Sequence, residues 1–296
     1  MQMWDAAAAN RRNGAIILFI FILFIFGLVW LLNYAFGFGE VFLIIAFIIA
    51  LIFSFSSYYY SDKIVLMISG AKPVSREENP YLYHLVDGLA IAAGIPKPRC
   101  YIIDDTAPNA FATGRNPENA VICVTTGLLQ KMNRAELEGV IAHEMSHIKN
   151  YDIRYMTIVA VLVGTVVLLS DWMLRAFLWG GGRRSRGSRG GGLIIVVAII
   201  AAILAPVVAT LIKLALSRQR EYLADADAVA LTRYPEGLAS ALEKLAADKE
   251  PLEAANRATA HLYIVNPLKS DIGSKIGGLF STHPPIEERV KRLRSM

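Results

Sequence analysis

The sequence predicts a mostly α-helical integral membrane protein with a small β-sheet and about four transmembrane helices. Three observations lead there: four long apolar blocks, a run of short extended segments in the first polar region, and well-marked helices around that region. Of the 296 residues 55 % are hydrophobic, above the roughly 45–50 % usual in soluble domains. The excess lies in the four blocks, and the rest of the chain has an ordinary soluble composition.

Residues 15–32 carry no charge, and residues 41–60 are similar and end in Tyr58, Tyr59 and Tyr60. Each is long enough for a hydrocarbon core of roughly 30 Å. Trp30, Tyr34 and the tyrosine cluster sit where interfacial aromatics are expected. The first block is too long for a signal-peptide core, has no small-residue cleavage site and is followed at once by the second, so the pair reads as a retained hairpin. A third block covers about 155–172, reaching at most Trp179, and a fourth covers about 193–216. Asp171 and Lys213 lie near their ends, where a polar head reaches the interface, and Pro206 predicts a kink in the fourth. The alternative for this second pair is an apolar helical hairpin packed on the polar domain.

Basic residues set the orientation. Arg11 and Arg12, Lys63, Lys72 and Arg76, Lys149 and Arg154, and Arg218 and Arg220 flank the four blocks on one side, which the positive-inside rule makes cytoplasmic. The segment 180–192 disagrees, since its four arginines among glycines would lie outside. It reads as a flexible connector touching lipid headgroups. The net charge is +5 with basic residues scattered through the polar parts, which argues against a nucleic-acid partner. Cys100 and Cys123 are too few for a disulfide framework and fit no zinc spacing; they read as small buried residues on strands.

Helical periodicity covers 77–94, stopped by Gly94 and Pro96. Extended runs follow at Arg99 to Ile103, Asn109 to Thr113 and Ala120 to Thr125, with turn residues at 114–119. Asn133 and Glu136 form a capping-box pattern opening a helix from Arg134 to Asn150. Later helices are expected from Ser217 to Tyr234, from Pro235 to about Asp248, and in an amphipathic tail ending near Arg294. His84 and His261 have no ligand-spaced partners and read as structural.

His143-Glu144-Met145-Ser146-His147 places two imidazoles just over one helical turn apart, on one face, where they can share a metal. Glu144 is offset by one position and can reach a water on that metal from the side, as a general base must. Glu221, on the helix that leaves the fourth apolar block, offers a third ligand. Two histidines and one carboxylate with an open fourth position form a catalytic zinc arrangement, one Zn2+ per chain. Asp225, one turn beyond Glu221, can accept the second ring N–H of a ligating histidine. Taken alone, a Glu and an Asp four residues apart are more often a solvated helix face; spacing only suggests this pair.

At these residues the chain resembles the HtpX-type membrane zinc metalloproteases, relatives of the CAAX prenyl endopeptidases. The matching pieces are Asn109-Ala-Phe-Ala-Thr-Gly114, His143-Glu-Met-Ser-His147, Ser217-Arg-Gln-Arg-Glu-Tyr-Leu-Ala-Asp225 and Ser281-Thr-His-Pro-Pro285. Their order, and the apolar pair between the second and third, match as well, so the resemblance spans almost the whole chain. It implies a cytoplasm-facing, zincin-like catalytic domain and Glu221 as the third ligand. The arginine-rich segment is not expected of that family. The chain then divides into an N-terminal transmembrane hairpin (1–62), a first catalytic part with the sheet and the His-Glu-x-x-His helix (63–154), a second apolar hairpin (155–216) and a second catalytic part (217–296).

The resemblance also implies a role in membrane-protein quality control at the plasma membrane. His283, in the family-like Thr-His-Pro-Pro segment, is the candidate donor to the developing oxyanion; the alternative is that it caps the last helix. The strand Asn109, Ala110, Phe111, Ala112 and Thr113 can pair with an extended substrate, giving little sequence preference. The expected activity is zinc-dependent cleavage of misfolded or damaged membrane proteins on the cytoplasmic side, with the lipid bilayer and protein or peptide substrates as partners. The alternative is a narrow processing protease for peptides or prenyl-proteins.

Overall fold

The computed structural model describes residues 39–159, 218–254, 259–265 and 284–296, together with 12, 15–20, 22–24, 26–27, 30, 162 and 267. The segment 180–192, nearly all of the second apolar pair, and His283 lie outside the described residues.

Helix α1 (Glu40–Tyr59) is apolar along its length, and Val41, Ile44, Ile45, Ile48, Ile52 and Phe55 are exposed. Phe26, one of the helical residues of the first apolar block, stacks edge-on against Phe47 at 5.5 Å, so the two N-terminal blocks touch. Among the described residues, however, no helix is long and apolar enough to cross a membrane, and the expected four crossings are not established by the fold. A row of apolar side chains of this kind needs an apolar cover.

Helix α2 (Ser61–Ile68) leads to the two-residue strand β1 (Lys72–Pro73), which the sequence did not announce. Helix α3 (Pro80–Ala93) starts three residues later than periodicity suggested, because Pro80 favours the first turn and the Asn79 side chain accepts from the Leu82 N–H at 2.9 Å. Gly94, at φ 69°, closes it in the left-handed conformation. Strands β2 (Arg99–Ile103), β3 (Ala110–Thr113) and β4 (Val121–Thr125) follow the three extended runs to within a residue. The sheet order is β1-β2-β4-β3, with β2 and β4 parallel and the other pairs antiparallel. Cys100 and Cys123 are free and buried on β2 and β4, as expected.

A short helix α4 (Thr126–Lys131) precedes α5 (Arg134–Lys149). Both arms of the capping box are present on α5: the Asn133 side chain accepts from the Glu136 N–H, and the Glu136 carboxylate accepts from the Asn133 N–H. A left-handed Tyr151 (φ 60°) ends this stretch, and residues 152–159 are helical again. Helices α6 (Arg218–Thr232), α7 (Pro235–Ala247) and α8 (Ile286–Leu293) complete the described elements. Pro285 is the N-cap of α8 and makes no side-chain cap hydrogen bond.

Helix α5 is the hub. It touches α3, β3, α6 and α7, so its residues from Gly139 to Ile148 are all buried. Leu137, Ile141, Met145 and Ile148 share one core with Leu82 and Val86 of α3, Ile122 and Val124 of β4, and Leu238 and Leu242 of α7. Each such side chain contributes about 1.5–3 kcal/mol on leaving water. The crossing of α5 and α7 is close: a Cβ on Gly139 would lie 2.7 Å from the Leu238 backbone nitrogen. Packing on every side holds a polar pentad inside the molecule, and that fixes the site.

Candidate active site

One turn of α5 stacks His143 and His147 on the same face, with ring centroids 4.7 Å apart. Their Nε2 atoms face each other at 3.2 Å. Helix α6 crosses α5 and brings Glu221 to the same point: its Oε2 is 3.7 Å from His143 Nε2 and its Oε1 is 3.5 Å from His147 Nε2. His143 and His147 are the pair that helical spacing nominated, Glu221 is the third ligand that the resemblance implied, and all three are buried.

Each histidine has a carboxylate behind it. His143 Nδ1 lies 3.0 Å from Asp225 Oδ1, the contact expected of that aspartate. His147 Nδ1 lies 3.0 Å from Asp152 Oδ2, which the sequence reading did not foresee. An outward nitrogen that donates to a carboxylate turns the inward nitrogen into an acceptor. Two lone pairs at 3.2 Å repel unless a positive charge sits between them, either a shared proton or a cation. Bond lengths of about 2.0–2.1 Å and tetrahedral angles put neighbouring zinc ligands about 3.3–3.4 Å apart. Here the two imidazole nitrogens are 3.2 Å apart, Glu221 turns a different carboxylate oxygen to each, at 3.5 and 3.7 Å, and one ligand atom from each of the three residues lies within 4.8 Å of the others. The residues present therefore fit zinc.

The electrostatics are balanced by buried arginine. Arg289, from α8, is fully buried and pairs with Asp225 through Nε and Nη2 at 2.9 and 2.6 Å. Its Nη1 is 3.4 Å from Glu221 Oε2. Burial, reinforced by the Arg289 charge, lowers the affinity of His143 for a second proton, against the pull of Asp225. Burial would also lower His147, but Asp152, Glu221 and Glu144 outweigh it and raise its pKa to about 9. A metal binding here displaces that proton.

Glu144 is 2 % exposed. Burial, with the Glu221 charge, pushes its pKa up to about 7, while His147 and a hydrogen bond from the Ala112 backbone pull it down. A carboxyl poised near neutrality next to two imidazoles can hold and return a proton.

Strand β3 lies at the edge of the sheet beside α5. Asn109, expected as its first residue, instead precedes it: its Oδ1 accepts from the Ala110 N–H, and its Nδ2 donates to the Val265 carbonyl. The outer edge is partly taken, because the Ile264 N–H donates to the Ala110 carbonyl at 3.0 Å. Phe111 packs edge-on against Tyr263, and Thr113 bonds the Thr157 hydroxyl. His261, read as structural, lies 3.1 Å from the Met156 carbonyl.

Asp152 and Arg289 are the site residues that sequence reasoning missed. Asp152 falls five positions after His147, off the helical face. Arg289 sits in the tail expected to be an amphipathic helix, where nothing local singles it out from Arg292 and Arg294. The signal for Arg289 was a two-turn helix whose buried face also holds Val290 and Leu293.

Comparison with known proteins agrees with this geometry. The chain is 53 % identical over 293 residues to a protein named Protease HtpX homolog from Dictyoglomus turgidum, covering 99 % of this chain and 94 % of that one. It is 45 % identical over 297 residues to a protein of the same name from Thermoanaerobacter pseudethanolicus, covering 99 % and 98 %. The crystal structure of S. mikatae Ste24p has a similar fold, with a TM-score of 0.50 and 20 % identity over 98 % of this chain and 66 % of that chain. The sequence profile of peptidase family M48 matches residues 76–296, which contain every member of the metal triangle. The chain belongs to peptidase family M48 and is a metallopeptidase.

Proposed function

We propose that this metallopeptidase is a zinc-dependent endopeptidase of the cell membrane, cleaving misfolded or damaged membrane proteins from the cytoplasmic side. The observation that carries the reading is the His143, His147 and Glu221 triangle with Glu144 beside it. Zinc, when bound, polarises a scissile carbonyl and makes water acidic enough to attack near neutral pH. Glu144 takes the proton from the attacking water and passes it to the leaving amine nitrogen. Asp225 and Asp152 keep the imidazoles turned inward, and Arg289 offsets the carboxylates that surround them. His283 donates to the carbonyl oxygen as negative charge develops there. An extended substrate pairs with β3 through backbone groups, which suits polypeptides of varied sequence.

The membrane assignment rests on the exposed apolar row of α1, its contact with the first block through Phe26 and Phe47, and the basic residues that follow the apolar segments. Vesicles of known sidedness give the test. Full-length chain in inverted cell-membrane vesicles is expected to cut added unfolded casein at many sites, and right-side-out vesicles are expected not to. Cleavage only in right-side-out vesicles contradicts the orientation. A single fixed site in every substrate points instead to a narrow processing enzyme.

A further inference from the structure

We propose that Asp152 and Arg220 are positioning residues that keep His147 turned toward the metal, by clasping the two chain ends that bound the apolar segment 155–216. The inference rests on the metallopeptidase reading of the site and adds residues and a coupling to it.

The backbone makes a specific detour to place Asp152. Helix α5 ends at Lys149, Asn150 caps it, and Tyr151 takes a left-handed φ of 60°. That conformation is disfavoured for a residue with a side chain. Continued as a helix, position 152 would point well away from His147; the turn swings its carboxylate back onto His147 Nδ1 at 3.0 Å. Asp152 is 1 % exposed. A buried carboxylate needs a counter-charge, and Arg220 supplies one, with its Nε 3.7 Å from Asp152 Oδ1. The guanidinium is braced over the Tyr155 ring at 4.6 Å. Arg220 thus grips residues 152–159 at two points.

Arg220 is also the residue before Glu221 on α6. One helix therefore delivers a metal ligand and, one position earlier, the group that steadies the carboxylate behind a different ligand. A second tie joins the same elements, from Asn150 Nδ2 to Asp227 Oδ2 at 2.8 Å. A shift of residues 152–159 against α6 is transmitted to His147 through Asp152, while the carboxylate behind His143 is Asp225 of α6 itself, gripped by Arg289. The two histidines are backed by different carboxylates: His147 by Asp152, which Arg220 of α6 steadies, and His143 by Asp225 of α6, which Arg289 of the C-terminal helix grips.

The test uses full-length chain in detergent with Asp152→Ala, Asp152→Asn, Arg220→Met and Arg220→Lys. Three quantities are read: zinc affinity by competition with a chromophoric chelator, the visible spectrum of the Co2+ form, and the unfolding midpoint of the metal-free chain. Asp152→Ala is expected to lose about 10–100-fold in zinc affinity, with altered Co2+ bands. Asp152→Asn keeps the shape and loses less. Arg220→Met weakens zinc in the same direction, and Arg220→Lys recovers most of that loss. Zinc affinity within twofold of the parent in Asp152→Ala and Arg220→Met, with unchanged spectra, overturns the proposal. So does a loss that only tracks the metal-free unfolding midpoint and is not rescued by lysine, because that is a purely structural role. If the parent chain itself binds no zinc, the metallopeptidase reading falls and takes this inference with it.

Discussion

Arg289 grips Asp225 with two parallel hydrogen bonds, Nε and Nη2 to the two carboxylate oxygens at 2.9 and 2.6 Å, and Asp225 stands 3.0 Å behind Nδ1 of His143. The last described helix therefore reaches His143, 146 positions earlier. Burial disfavours the arginine charge, yet Asp225 and Glu221 hold it above its ordinary range. Arg289→Met leaves Asp225 buried without its counter-charge, which costs about 3–5 kcal/mol. Arg289→Lys keeps the charge but not the planar fork and falls between. Denaturant unfolding of the metal-free chains, with zinc per chain in parallel, measures both. Unfolding of Arg289→Met at the parent midpoint contradicts the assignment.

Gly139→Ala tests whether the catalytic helix depends on its close crossing with α7. The added Cβ would meet Leu238 N at 2.7 Å and Leu238 Cα at 2.8 Å, and backbone cannot move aside cheaply. Overpacking of this kind costs about 1–3 kcal/mol, against about 1 kcal/mol gained in helix propensity. Gly88→Ala on α3 meets nothing within 4 Å. Thermal unfolding should show Gly139→Ala destabilised and Gly88→Ala unchanged or stabilised.

Glu136 predicts a pH dependence of stability. Burial opposes its ionisation, but Lys244 at 2.7 Å, the Asn133 N–H and the Ser240 hydroxyl win, and its pKa in the fold lies below the ordinary value. A carboxylate depressed on folding contributes fully above its unfolded pKa and loses that contribution as pH falls through the folded one. Glu136→Gln should therefore flatten the decline of the unfolding midpoint below about pH 4.5. Near neutral pH the variant keeps an acceptor for the Asn133 N–H and loses the ion pair with the half-exposed Lys244, which should cost at most about 1 kcal/mol. An unchanged acid limb in the variant rules out this role.

The parts of the fold that were legible from sequence were those written in local chemistry. Asn133 and Glu136 announced α5, Gly94 marked the end of α3, and helical spacing put His143 and His147 on one face, while Glu221 was only suggested by spacing and was implied as third ligand by the family resemblance. What stayed hidden depends on contacts distant in sequence or on breaks in periodicity. Asp152 reaches His147 only because Tyr151 turns left-handed. Arg289 is one of several arginines in an amphipathic tail, and only the docking of α8 on α6 and α7 selects it. Strand β1 is two residues long and exists only through its pairing with β2. The partial cover on β3 comes from Ile264, 154 positions after Ala110, which no local pattern encodes.

The central claim is that a metal held by His143, His147 and Glu221 acts with Glu144 to cut peptide bonds. The most direct measurement compares the parent chain with Glu144→Gln in detergent, reading zinc per chain and casein cleavage on the same samples. The account predicts about one zinc in both chains, cleavage by the parent, and loss of cleavage in the variant. Equal cleavage by the two chains, or a parent chain that cleaves with no metal bound, would contradict it.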